Sequence, residues 1–169
     1  VLEVYVSFFR GTPALCQLYM IYFGLGNMGI PLFAKMSAYT ATIVALSLNM
    51  SAYMAENLRG ALLSVDKGQR EAGLSVGLNN IQIYTHILFP QAFRVAVPSL
   101  GNSFVDLVKG SSMAFTIGVT ELMASANLAG IATYNFFEAF FSAAIVYWII
   151  TIFINFLQKK LEQRLNRAY

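Results

Sequence analysis

An all-α, multi-span membrane protein is the fold class that three features of this sequence predict: an apolar excess, long uncharged runs, and grouped basic residues. Of 169 residues, 57% are hydrophobic and 11% charged, whereas a soluble domain carries about 25% charged residues. Mean hydropathy is +0.61. Residues 11–34, 36–55 and 139–158 run without an ionisable side chain. About 20 apolar residues cross a bilayer core as a helix. In hydrocarbon only helices or closed barrels satisfy every backbone group, and these runs lack the alternation of barrel strands.

The net charge of +3 has its explanation in the placement of the charges. Arg10 stands alone; Arg59, Lys67, Arg70 and Arg94 form a second group; Lys159, Lys160, Arg164 and Arg167 form a third. If a pair of spans crosses each gap, the three groups share one face, which the positive-inside rule makes cytoplasmic. The basic balance therefore reports topology and does not call for nucleic acid. Cys16 is the only cysteine, which excludes a disulfide framework and a thiolate metal cluster. His86, the only histidine, has no Cys or acidic partners at ligand spacing, so no metal site and no catalytic set is expected. The chain opens at Val1 with an amphipathic stretch, and an amino-terminal segment is expected to precede it.

In chain order, a first span is expected at about 12–25, opened by Pro13. Gly24, Gly26, Gly29 and Pro31 then read as an external turn. A second span is expected at about 36–63, rich in small residues such as Ala41, Ala45, Ser51 and Ala52 that let neighbouring helices approach. From Glu56 to Arg94 the chain is too polar to span. Glu56 and Arg59 stand at helix spacing as an ion pair. Asp66 reads as a helix start and Pro90 as a break or turn, with short helices joined at Gly77 between them. A third span at about 93–112 holds Pro98 and Gly101, and residues 113–135 read as a mixed, partly re-entrant external region. The fourth span, about 137–157, runs into a basic amphipathic helix over 158–167. One membrane domain over 1–169 is the simplest division, with a cytoplasmic loop at about 64–92.

That loop carries a specific pattern. Glu71-Ala72-Gly73, then Gly77, Ile87 and Pro90 reproduce the spacing E-A-x-x-x-x-G-x9-I-x-x-P. It resembles the cytoplasmic EAA loop of the membrane subunits of binding-protein-dependent ABC importers, with Gly73 where that family usually has Ala. Ile81, Ile83, Tyr84, Ile87 and Leu88 are expected to form an apolar docking face, and Glu71 an interfacial charge. Arg10-Gly11-Thr12-Pro13 with Gln17, Ser51 to Glu56, Leu100-Gly101-Asn102 and Ile117 to Leu122 are similar to segments of polar-amino-acid permeases. The resemblance implies five spans in the complete subunit, the last four being here. It further implies a second permease subunit (identical or a paralogue), cytoplasmic ATPases, an external solute-binding protein, and a place in the bacterial inner membrane. No G-x-x-x-x-G-K-[ST] loop is present, so ATP and Mg are expected on the partner ATPase and no cofactor in this chain.

Charges inside a membrane are costly and mark functional candidates. Asp106 and Lys109, three apart, either line a polar path for a zwitterionic solute or neutralise each other. Asn102, Ser111 and Ser112 extend the polar set, and Glu121 is a candidate for solute contact or for helix capping. The resemblance implies an acid after Lys109, where this chain has Gly110. That departure argues against a cationic cargo and is similar to cystine-type permeases. The expected function is ATP-driven amino-acid import by alternating access. An ion-gradient carrier would also use intramembrane Asp106 and Lys109, but has no need of the docking loop. The same machine with another cargo, or a membrane scaffold, are the remaining alternatives.

Overall fold

The computed structural model describes residues 1–26, 28–29 and 35–167, and every regular element among them is a helix. In order these are α1 (Leu2–Gly11), α2 (Ala14–Leu25), α3 (Ala38–Leu63), α4 (Lys67–Ser75), α5 (Asn80–Ile117), α6 (Leu122–Thr133) and α7 (Phe136–Arg167). Helix α3 is the hub: α1 and α2 pack on it, as does α5, while α7 packs on α5 and α6.

The break between α1 and α2 follows from Pro13. Proline has no N–H, so the Phe9 carbonyl four residues earlier loses its helical partner. Two buried amides replace it. Asn49 Nδ2 and Gln17 Nε2 each donate to Phe9 O at 3.0 Å, and Gln17 also donates to Thr12 O at 3.1 Å. Asn49 further donates to Gln17 Oε1 at 2.9 Å, so this polar node ties α1, α2 and α3 together.

Helix α3 begins at Ser37, whose side chain caps it by accepting from Thr40 N at 3.1 Å. Its buried Ala41, Ala45, Ala52 and Ala61 let its neighbours come close. Leu18, Ile21, Ala41, Ala45 and Ile117 form the apolar core where α2, α3 and the end of α5 meet. On the α5 side Asn57 donates to Ser103 Oγ at 2.9 Å. The expected Glu56–Arg59 ion pair is present, and Arg10 joins it at 3.7 Å.

The expected break at Pro90 is not there. Helix α5 runs through it, because residues Tyr84–Leu88 immediately upstream are π-helical. The wider turn carries the chain past the carbonyl that a proline ring would meet. Gly24 also differs from expectation: it lies inside the π-helical segment Met20–Leu25, and Gly26 is helical too. Gly29 does turn, at φ 71°. Pro31 lies outside the described residues.

Helices occupy all four stretches expected to span. By length and hydropathy alone, Phe136–Leu165 qualifies by itself, with mean hydropathy 2.1, and α5 and α6 qualify together as a pair bent by 52°. Helix α3 is long enough at 26 residues but carries Thr40, Asn49, Ser51 and Asn57. A helix surrounded by other helices needs less apolar surface than one facing lipid. Helix α7 is the opposite case, since only 6% of its apolar window is buried.

Candidate functional site

The polar loop between α3 and α5 is built by three local devices. Asp66 starts α4, its carboxylate accepting from Gly68 N at 2.7 Å. Gly77 ends α4 at φ +83°. There Gly77 N bonds Leu74 O at 3.0 Å and Leu78 N bonds Gly73 O at 3.1 Å, the two bonds of a Schellman turn. Asn79 then opens α5 through a reciprocal capping box with Gln82, both bonds 2.9 Å. The signal for that box, N-x-x-Q, was in the sequence but did not enter the reading of it.

The two arms close on Gly73. A Cβ there would lie 2.9 Å from Ile83 Cγ1 and 3.3 Å from Ile87 Cδ1. Ile83 is fully buried. The apolar face expected of Ile81, Ile83, Tyr84, Ile87 and Leu88 is therefore divided. Ile83 and Ile87, four apart on successive turns and therefore on one face, turn inward against α4. Ile81 at 75% exposure and Val76 at 76%, with Leu74 and Tyr84, face outward. Glu71 and Ala72 are exposed beside them. Pro90 lines an apolar cleft with Leu58, Leu62 and Phe93, where α3 and α5 diverge. Arg70 to Asn80 and Gln91 to Gln69, both 3.3 Å, brace the loop. The result is an internally braced hairpin offering exposed apolar side chains and a carboxylate.

The polar residues of α5 are dispersed more than expected. Lys109 Nζ and Asp106 Oδ1 pair at 2.9 Å, both half exposed or more. Ser111 and Ser112 donate to Val108 O and Lys109 O, each at 2.8 Å, so their hydroxyls serve their own helix. Asn102 is exposed on the same helix. Glu121 caps α6, accepting from Met123 N at 2.9 Å and Ala124 N at 2.7 Å, and also from Tyr147 OH of α7 at 3.0 Å. A cleft of about 300 Å³ opens between α2, α3 and α5, and of these six residues only Asp106 lines it. Its other polar walls are Asn49, Tyr53 and Ser103, and Gly110 forms part of its floor. Among the described residues no group of three His, Cys, Asp or Glu converges as a metal site requires.

A family model described as the binding-protein-dependent transport system inner membrane component matches residues 1–167. The chain belongs to this family. It is 43% identical to the probable amino-acid ABC transporter permease protein PatM of Vibrio harveyi. It is 46% identical to the probable amino-acid permease protein YxeN of Bacillus subtilis (strain 168). Each alignment covers 99% of this chain and 74% of the relative. Among solved structures, one described as an amino acid ABC transporter with histidines superposes with a TM-score of 0.88 at 35% identity. That match covers 96% of this chain and 74% of the other.

Within a binding-protein-dependent permease these parts sort by position. The loop hairpin stands at one end of α3 and α5, and the cleft lies further along the same two helices. Helix α5, continuous from Asn80 to Ile117, runs from the hairpin to the cleft. Sequence reading missed Gln158 of α7, which is the clamp between α7 and α5. Its amide donates to Pro98 O at 3.0 Å and lies flat against Gly101, where an added Cβ would be 2.3 Å away. No local signal pairs residues that lie 57 positions apart in the chain; the only hint was a glutamine at the end of an apolar run.

Proposed function

We propose that this permease is the membrane-spanning subunit of an ATP-driven importer and that its cargo is an amino acid. The observation that carries the reading is the hairpin over residues 67–88. It is locked internally by Gly73, Gly77 and the Asn79 capping box, yet it presents Val76, Ile81, Glu71 and Ala72 outward. A rigid body with an exposed apolar surface is what docking to a separate, moving ATPase requires. The names of the two relatives support an amino acid as cargo. Gly110 in place of an acid favours a neutral or zwitterionic solute, cystine among them.

In this mechanism partner ATPases hold ATP and Mg, and their closure carries the docked hairpins of two permease subunits together. Glu71 supplies an interfacial charge and Ala72 a close approach. Gly77 and Pro90 keep the hairpin aimed, while Ile87 holds its arms. The helices tilt as units, the cleft changes sides, and solute delivered by an external binding protein passes Asp106, Lys109 and Asn102 with Ser111, Ser112 and Glu121 nearby. The chain supplies no covalent chemistry. The hairpin and the basic end of α7 face the cytoplasm of a bacterial cell.

The test is uptake into proteoliposomes holding the permease, its ATPase and its binding protein, against labelled glutamine, arginine and cystine. ATP-dependent accumulation of a neutral or zwitterionic amino acid is expected. Preference for arginine would overturn the reading of Gly110, and accumulation of none of them would overturn the cargo class.

A further inference from the structure

The basic end of α7 has no part in the import mechanism described above, and it continues an apolar groove. The groove, about 460 Å³, runs between α5 and α7. Phe93, Leu100 and Phe104 line it from α5, and Ile154, Leu157 and Leu161 from α7. Phe93, Phe104, Leu157 and Leu161 are each about half exposed. Gly101 and Gln158, where the two helices are clamped together, complete the wall. From Phe93 to Phe104 the helix rises about 16 Å. A bilayer core is about 30 Å thick, so the groove has the depth of one leaflet.

Cations stand at one end of it. Helix α7 runs antiparallel to α5: Tyr147 meets Glu121 just beyond the far end of α5, and Gln158 meets Pro98. Residues of α7 after Gln158 therefore lie at the hairpin end of the groove. Leu157, Lys160, Leu161 and Arg164 recur at intervals of three and four and share one face of α7. Along that face the groove passes from apolar side chains to two cations. Both are exposed, and among the described residues neither forms an ion pair. The Lys160 ammonium lies 4.4 Å from the centre of the Phe156 ring, one turn back toward the apolar part. Arg94 follows Phe93 at the same end of α5. Glu162 is the one acid between residues 139 and 165, and its carboxylate accepts from Gln158 Nε2 at 2.9 Å.

We propose that this groove binds an anionic phospholipid of the leaflet on the hairpin's side. One acyl chain lies along Phe93, Phe104 and Leu157, and the headgroup phosphate sits against Lys160 and Arg164. Basic pockets between spans on the cytoplasmic side hold anionic headgroups in this way. A zwitterionic lipid brings its own cation to the same place and loses the advantage. A docked protein would meet the cations but would have no reason to follow the groove a leaflet deep. The assignment holds whichever solute is carried.

The experiment is fluorescence quenching in the reconstituted permease–ATPase complex by lipids with brominated acyl chains. Phosphatidylglycerol is compared with phosphatidylcholine at equal mole fraction. Such chains quench tryptophans at bilayer depth, so those of partners in water do not contribute. Leu157→Trp combined with Trp148→Phe places the reporter in the groove, at a half-exposed position. Native Trp148, 65% exposed on α7 and outside the groove, reports the ordinary surrounding lipid. Phosphatidylglycerol is expected to be favoured about fivefold or more at the groove, and to match phosphatidylcholine at Trp148. Adding Lys160→Gln and Arg164→Gln, both at exposed positions, is expected to abolish the preference and to leave quenching of Trp148 as it was. Absence of quenching at the groove by either lipid would mean that protein covers it, and would overturn the proposal. So would equal quenching there by the two lipids, the same preference at both reporters, or a preference that survives the two glutamines. A second measurement needs no reporter: phosphatidylglycerol retained by the detergent-washed complex is expected to fall in Lys160→Gln/Arg164→Gln, and equal retention would also overturn the site.

Discussion

Gly77 and Gly101 show two different reasons for a missing Cβ, and they respond differently to alanine. At Gly77 the backbone is left-handed at φ +83° with open space around it. Gly77→Ala therefore pays backbone strain of about 1 kcal/mol and no clash. Faster amide exchange confined to residues 67–88, with the spans unchanged, is the expected result. At Gly101 the backbone is helical but the Gln158 amide fills the site. Gly101→Ala displaces the Gln158 amide and breaks its bond to Pro98 O, at about 1 kcal/mol. A lowered melting temperature of the purified complex would register it. The turn at Gly77 was legible in the sequence because the motif spacing and a polar setting point to one local event. The clamp at Gly101 was not, because its partner lies on another helix. Gly73 is an intermediate case: its small size was legible, but not that Ile83 and Ile87 are what it accommodates.

At the scale of the element, the first helical break depends on side chains from elsewhere. Pro13 announces the break in the sequence, but the identity of the groups that satisfy Phe9 O does not follow from it. Gln17 is eight residues along and Asn49 forty, and both are buried. Asn49→Leu would leave Phe9 O with one donor fewer and Gln17 Oε1 with none from Asn49. A buried acceptor left unpaired costs about 1–3 kcal/mol. The expected outcome is a drop in thermal stability, larger than for Ser51→Ala, whose hydroxyl lies at an exposed contact with Tyr5. Pro90 carries the converse lesson. A proline reads as a stop, yet a π-helical segment just before it lets α5 continue, and no residue within that segment signals it.

For the whole molecule, composition and charge grouping were enough to give an all-helical membrane protein, since lipid allows so few alternatives. The order of packing was not legible, because α3 carries polar residues that hydropathy counts against it. Helix α7 makes a direct statement about its surroundings. Trp148 is the only tryptophan and is 65% exposed on it. In the reconstituted complex, Trp148 fluorescence is expected to be quenched by bromine-labelled lipid chains and not by aqueous iodide. The reverse pattern would place α7 in water.

In the proposed mechanism the hairpin over residues 67–88 transmits ATP hydrolysis into movement of the spans. The measurement closest to it is ATP-driven amino-acid uptake by the reconstituted complex, native and with Val76→Asp and Ile81→Asp. Both side chains face outward, so folding is spared while docking is not. Uptake is expected to require hydrolysable ATP and to fall about tenfold or more in the double variant. Uptake that persists without ATP, or that survives both substitutions, would contradict transmission through the hairpin.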